Sequence, residues 1–211
     1  MDNKDLNDIS ETDIIEKKDI KCVITGDVLQ SEQRVVRLYV ENRTSLNISL
    51  TIKKQKNAVY FLLSKENIQK IIKDPLSFLP EGFKEIAQAE FDKIPSLLKD
   101  IVENKLLASM GFALKTKKAV IGKRAIDRQI NLFPELVSDI FVAEDASGEI
   151  ARKFQERGPK IRFTMNFPTA WIKKISARDK ASYFLLKKNY TNHHIYSDYT
   201  HYQMLTKMAS S

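Results

Sequence analysis

The sequence predicts a mixed α/β chain of two modules, an α+β module at the N-terminus followed by a three-layer α/β/α domain. Three observations carry this. Within residues 34–63, three short runs rich in β-formers are separated by polar turns, and the last leads into a serine-started helix. Between residues 95 and 188, helical periodicity alternates with short apolar runs, as in strands covered by helices on both faces. Between the two patterns, Pro75 and Pro80 bracket a short segment and mark a boundary.

Residues 1–19 carry seven acids against three lysines. That leaves −4 there and +12 on the rest of a chain whose formal charge is +8. With Ile14 and Ile15 as its one apolar pair, this segment is expected to be a disordered acidic tail. It has no apolar core of a secretory signal, and no run approaches the 18 or so apolar residues of a membrane span. The basic remainder implies a polyanionic partner, since clustered Lys and Arg gain affinity for phosphates by releasing counterions. With 211 residues and 43% apolar content the chain can hold two small domains. The lone Cys22 excludes an internal disulfide framework and a multi-cysteine zinc site, and the reducing cytoplasm is the natural compartment.

The first module is placed at residues 20–74. Thr25, Gly26 and Asp27 form a turn signal, residues 34–40 read as a strand, and Leu46, Ile48, Leu50 and Ile52 alternate as a strand with one buried face. A basic turn with Lys53, Lys54 and Lys56 leads to a third apolar segment, residues 58–63. Ser64 then caps a helix, with half a capping box because Asn67 stands at the acid position. In Lys21 and Cys22, residues 25–27, Val36 to Leu38, Tyr60 and Phe61, and Ser64 to Glu66, the module resembles the YlxR-like family of small bacterial RNA-binding proteins. That family's Gly-Arg-Gly turn is replaced by Lys56, Asn57 and Ala58, and basic charge sits instead on Lys53, Lys54 and Lys56. The resemblance implies an RNA surface with Arg37, Lys53, Lys54, Lys56 and Tyr60 as contacts.

Residues 75–94 read as a linker containing a helix from 83 to 91, and Pro95 opens a long helix at a position where proline is tolerated. Leu98, Val102, Leu106, Met110 and Leu114 recur at four-residue steps and stack on one face of it. A basic turn, a short strand ending at Gly122, a second helix, an apolar strand at 140–143 and a third helix capped by Ser147 follow. Beyond them come a strand at 161–165, a short helix at 168–175 with Trp171, and a last strand at 181–186. Residues 189–211 are a polar, aromatic tail without a clear period. It is either disordered or lays Tyr190, Tyr196, Tyr199 and Tyr202 onto the body or onto bases.

The strongest charge cluster is Lys115, Lys117, Lys118, Lys123, Arg124 and Arg128, against the single acid Asp127. Gly122 at a helix start lets backbone N–H groups approach a phosphate, so side chains and helix dipole are expected to converge on one anion path. Gly111 to Ala113, Val120 to Gly122 and Val142 to Ser147, in this order and spacing, resemble the kink-turn RNA-binding ribosomal-protein family of the L-seven-Ae type. Where that family places an Asn-Glu pair after the glycine, this chain has Lys123 and Arg124. The resemblance implies the three-layer fold over residues 95–188 and a structured RNA, ribosomal or other non-coding, as partner.

Nothing in the sequence points to catalysis. Cys22 has no paired histidine and reads as a buried small apolar residue. His193, His194 and His201 lack carboxylates or cysteines at ligand spacing, so no metal is expected, and no nucleotide loop or nucleophile triad implies a cofactor. The expectation is a non-enzymatic RNA-binding protein. The alternatives are a protein-interaction adaptor with a basic face and an accessory domain of an RNA-modifying enzyme.

Overall fold

The computed structural model describes residues 19–42, 44–158, 160–177, 181–188 and 192–210, with the side chains of residues 192 and 193 left aside. The acidic segment 1–18 and Tyr190 lie outside the described residues. The chain is mixed α/β with two sheets and divides into two compact units, Met1–Phe91 and Asp92–Ser211.

In the first unit, β1 (Val35–Glu41) is the centre of a three-stranded antiparallel sheet between β2 (Ser45–Leu50) and β3 (Ala58–Leu62). Val36, Leu38 and Phe61 are fully buried, together with Ile68 and Ile71 of α1 (Lys65–Lys73). Ser64 accepts a hydrogen bond from the Asn67 amide at 3.2 Å and so caps α1 as expected. Asn67, where a capping box would carry an acid, is buried and donates to the Leu62 carbonyl at 3.1 Å instead. Residues 20–29 close a loop on this sheet. Cys22 exchanges backbone bonds with Gly26 and Asp27, and the Val23 amide donates to Tyr60.

Residues 75–91 are packed, which corrects the expected linker. Pro75, Leu79, Phe83, Ile86 and Phe91 are buried, recurring every three to five residues, and the unit boundary falls after Phe91. The expected helix from 83 to 91 is two short pieces, a 3-10 turn (Glu81–Phe83) and α2 (Gln88–Asp92). Gln88 fastens α2 to the end of α1 through the Ile72 carbonyl at 2.8 Å.

The second unit alternates α3 (Ile94–Lys115), β4 (Ala119–Ile121), α4 (Lys123–Leu132), β5 (Val137–Ala143), α5 (Gly148–Arg157), β6 (Arg162–Phe167), α6 (Thr169–Ser176), β7 (Tyr183–Lys187) and α7 (Asn192–Ala209). Its sheet order is β4-β7-β5-β6. The β5–β6 pair is parallel, while β7 runs antiparallel to β4 and to β5. Successive residues of the central strands enter opposite cores. Phe141, Ala143, Phe184 and Leu186 pack with α3, α6 and α7, whereas Ile140, Val142, Tyr183 and Leu185 pack with α4 and α5. Helices therefore cover both faces, and these strands read as continuous apolar runs for that reason. The α3 stripe is buried from Leu98 to Met110 and half-buried at Leu114.

Residues 192–209 form a helix packed on α3, where an aperiodic tail was expected. Tyr199 is buried and Tyr202 packs against Trp171, with ring centroids 4.5 Å apart. Tyr196 receives the Arg162 guanidinium 3.9 Å above its ring. These tyrosines thus serve the body of the protein. Trp171 is further held by its Nε1–H, which donates to Glu103 Oε1 at 3.0 Å. Arg162 also neutralises Asp139, a fully buried carboxylate that accepts from the Ser138 hydroxyl as well.

Candidate nucleic-acid interface

The basic cluster begins at the end of α3. Lys117 is in the left-handed region (φ 57°); its amide donates to Leu114 at 3.0 Å and that of Lys118 to Ala113 at 2.8 Å. This is the paired-bond helix terminus that usually recruits glycine at the left-handed position. Lys115, Lys117 and Lys118 are exposed here and stabilise the negative end of the α3 dipole whether or not a ligand binds.

Strand β4 then carries the chain to Gly122, whose φ of 89° and ψ of 150° belong to a region that only glycine occupies without strain. A Cβ there would meet nothing within 4 Å, so backbone conformation alone requires the glycine. The Gly122 amide donates to Tyr183 at 3.1 Å, and its carbonyl accepts from Ile126, which starts α4 with no side-chain cap on its first turn. Lys123 and Arg124 stand exposed at this positive helix end, and Arg128 follows one turn later.

The expected single anion path is corrected by this geometry. Four residues separate Lys118 from Lys123, five steps or roughly 16 Å at strand rise, so the two groups mark opposite ends of β4. Beside β4, Arg124 and Arg128 line an open groove of about 400 Å³ together with Val120, Ala125, Gln129 and Phe133. At the far end, the Lys118 carbonyl accepts from Lys187 at 2.9 Å and the Leu136 carbonyl from Lys188 at 2.7 Å. These bonds bring Lys187 and Lys188 alongside Lys118. The result is a basic track along one edge of the unit.

Sequence reasoning missed Lys187, Lys188, Gln129 and Phe133. The lysine pair that closes the apolar run 183–186 was a usable signal. Phe133 was hidden because an aromatic at a helix end ordinarily reads as core, yet here it is 48% exposed.

Asp127, the one acid within the cluster, points away from the groove's lining to Arg157, whose Nη1 donates to it at 3.0 Å. Glu149, in the first turn of α5, is held below its usual carboxylate range by its hydrogen bond and charge pairing with Lys153, with the charge of Lys123 adding to this. Ser147 occupies the N-cap position of α5 without a side-chain capping bond, contrary to expectation. Its carbonyl is used instead and accepts from the Tyr183 hydroxyl at 3.0 Å.

In the first unit the candidate contacts are organised differently. Arg37 is half-buried, donating from Nε to Ser49 Oγ at 3.0 Å and from Nη1 to the Lys53 carbonyl at 3.3 Å, with its guanidinium 5.1 Å from the Tyr39 ring centre. Tyr60 is only 6% exposed. Its hydroxyl donates to the Lys53 carbonyl at 2.9 Å and accepts from the Gln55 amide at 2.8 Å. Tyr60 is thereby corrected from a contact residue to one that positions the turn. Lys53, Lys54 and Lys56 are exposed on that turn, which Asn57 closes in the left-handed region (φ 59°).

Burial alone would raise the Cys22 thiol, but hydrogen bonds from Thr25, Ile24 and Leu62 outweigh it and hold the thiol below its ordinary value. Among the described residues no three His, Cys, Asp or Glu side chains gather as a metal would need, and no helix is long and apolar enough to cross a membrane.

No family model matches the chain, and no curated protein matches it. A solved structure described as that of a protein with unknown function from Bacillus halodurans C is similar to part of it. The identity is 11% and the TM-score 0.40, over 44% of this chain and 95% of that one.

Proposed function

We propose that this protein is a non-enzymatic RNA-binding protein that holds structured RNA through the basic track of its second unit. One observation carries the reading. Lys117, Lys118, Lys123, Arg124 and Arg128 are all exposed along a single short strand and the helix that returns beside it, and the groove between them has no acidic lining. Side chains at both ends and the positive end of α4 suit a run of phosphates better than a single anion. The motif resemblances to YlxR-like and kink-turn-binding proteins point the same way and make the first unit, through Lys53, Lys54 and Lys56, the second contact. Recognition is mainly electrostatic and shape-driven. Cytoplasmic work on ribosomal or other non-coding RNA in bacterial transcription or translation fits this chemistry.

The test is capture of nucleic acid from lysate by the purified full chain, before and after ribonuclease, followed by titration of a structured RNA at two salt concentrations. Ribonuclease-sensitive capture and affinity that falls with salt are expected. Protein partners that survive ribonuclease, with no salt-dependent RNA binding, would replace this reading with that of an adaptor.

A further inference from the structure

The two edges of the sheet in the first unit are treated differently. The outer edge of β3 is met by residues 20–29, where the Val23 amide donates to the Tyr60 carbonyl at 2.8 Å. At the other edge β2 is the last strand, and among the described residues its outer side makes no backbone bond. The Leu63 amide donates to the Arg34 carbonyl, which fixes the phase of β1. Val36 and Leu38 therefore bond to β3, Arg37 and Tyr39 bond to Ser49 and Asn47, and the N–H and C=O groups of Leu46, Ile48 and Leu50 face outward. The side chains of these three lie opposite Val40, Leu38 and Val36 on the core side, yet Ile48 and Leu50 are only half-buried. Proteins blunt such an edge with charge, proline or a bulge. Residues 45–52 hold no charged residue, proline or glycine, and their register with β1 is unbroken.

We propose that this edge pairs with β2 of a second copy of the chain, antiparallel about a two-fold axis through Ile48. In that register the strand is close to a palindrome. Leu46 meets Leu50, Asn47 meets Ser49, Ser45 meets Thr51 and Ile48 meets itself, so apolar side chains continue one face and small polar ones the other. The outward groups of Leu46, Ile48 and Leu50 then form mutually bonded pairs, whereas a shift of one residue would set them against groups already bonded to β1. Charge favours the same arrangement. On a chain of +8, antiparallel pairing holds the two copies of Lys53 roughly 30 Å apart, well beyond a screening length of about 8 Å. Each lysine turn comes instead to a hairpin end, residues 41–44, that holds one acid and one base. A single strand pair covers less than the roughly 1,200–2,000 Å² of a stable complex, so the dimer is reversible and forms at concentrations on the order of tens of micromolar. It stands independently of RNA binding.

The experiment is sedimentation equilibrium of the ribonuclease-treated full chain over roughly 1 to 500 µM, which brackets the association of so small an interface. The apparent mass is expected to rise toward that of two chains for the parent. It should stay at one chain for Ile48→Lys, whose introduced ammonium groups would face each other across the axis. Cross-linking reads the register. Opposed residues of a bonded pair have Cα atoms about 5.5 Å apart, within disulfide reach, so oxidised glutathione should trap Ile48→Cys as a covalent dimer. Ser45→Cys, with its two copies roughly 20 Å apart, should not be trapped. Neither should the parent, whose Cys22 is buried. The two cysteine variants decide the matter if circular dichroism shows Ile48→Lys unfolded. A parent that stays monomeric throughout overturns the proposal and leaves the edge to a strand of another protein. Dimerisation untouched by a folded Ile48→Lys, or Ser45→Cys trapped as readily as Ile48→Cys, overturns it as well.

Discussion

The two basic turns of this protein look alike in sequence and are built for different ends. In the turn at residues 53–57, the arginine and the aromatic that accompany the lysines are turned inward. Arg37 and Tyr60 both bond to the Lys53 carbonyl, and Tyr60 is buried. Along α4, the corresponding residue types face outward. Arg124, Arg128 and Phe133 line an open groove. The lesson is that lysine density marks a basic surface, whereas the engagement of Arg and aromatic side chains tells whether that surface is a scaffold or an interface. A guanidinium that already satisfies backbone and hydroxyl acceptors has fewer donors left for a phosphate.

The largest expected effect tests that contrast directly. Replacing Lys123 and Arg124 with Glu should lower the salt slope of RNA binding by roughly 1.5 and weaken affinity on the order of fiftyfold near 0.1 M salt, as loss of two phosphate contacts implies. Reversing Lys53, Lys54 and Lys56 together should cost less despite the greater change in charge. Equal losses in the two variants, measured by titration at several salt concentrations, would abolish the distinction between the turns.

Backbone conformation supplies the next test. Gly122→Ala puts a Cβ on a residue at φ 89° and ψ 150° and is expected to destabilise the second unit by about 2 kcal/mol, with no clash to relieve. Asn57→Gly, at a position where Asn is already tolerated, should change stability by less than about 1 kcal/mol. Denaturant midpoints of the two variants make the comparison.

Tyr60→Phe removes both hydroxyl bonds that hold the lysine turn and should cost about 1–2 kcal/mol. Since Tyr60 positions the turn and does not face a ligand, the salt slope should not move. A changed slope would return it to the contact surface.

The smallest effect concerns pH. Burial raises the Tyr183 phenol above its ordinary 10.0, and the charge of Asp145 adds to that. Because the folded state favours the neutral phenol, this contribution is complete below the unfolded value and is lost as pH rises through the higher folded one. Thermal melts between pH 9 and 11 should show a shallower alkaline decline for Tyr183→Phe than for the parent. The decline should not vanish, since burial raises Tyr199 in the same way.

Most of the elements were legible because period and composition agreed. The four-residue stripe from Leu98 and the continuous run at 140–143 each correspond to an element with the expected buried face, whereas the alternation through Leu46 and Ile48 corresponds to a strand in which only Leu46 is buried. The last helix was not legible, although Ile195, Tyr199, Tyr202 and Leu205 recur at helical spacing. Two of the four are amphipathic tyrosines and buried Asp198 lies among them, so polar residues interrupted the stripe that apolar counting looks for. The packed segment 75–91 was misread because prolines ordinarily punctuate linkers, while here Pro75 is itself buried.

The basic cluster was visible as charge, but its layout was not. Whether Lys118 and Lys123 meet or stand apart depends on β4 being extended between them, and linear spacing alone does not show where Phe133, Lys187 and Lys188 arrive. Those positions come from the pairing of β4 with β7 and from the backbone bonds of Lys118 and Leu136.

Strand β4 pairs with β7 on one side and stands at the end of the sheet order, leaving an outer edge. Such edges invite pairing with another chain, and proteins blunt them by making the strand short and flanking it with charge. β4 is three residues long and is preceded by Lys117 and Lys118 and followed, after Gly122, by Lys123. The lysines proposed to contact RNA therefore also flank this edge with like charge, as gatekeepers against self-association do. Neutralising them to abolish binding would at the same time remove the repulsion that keeps two such edges apart, and solubility would fall along with affinity.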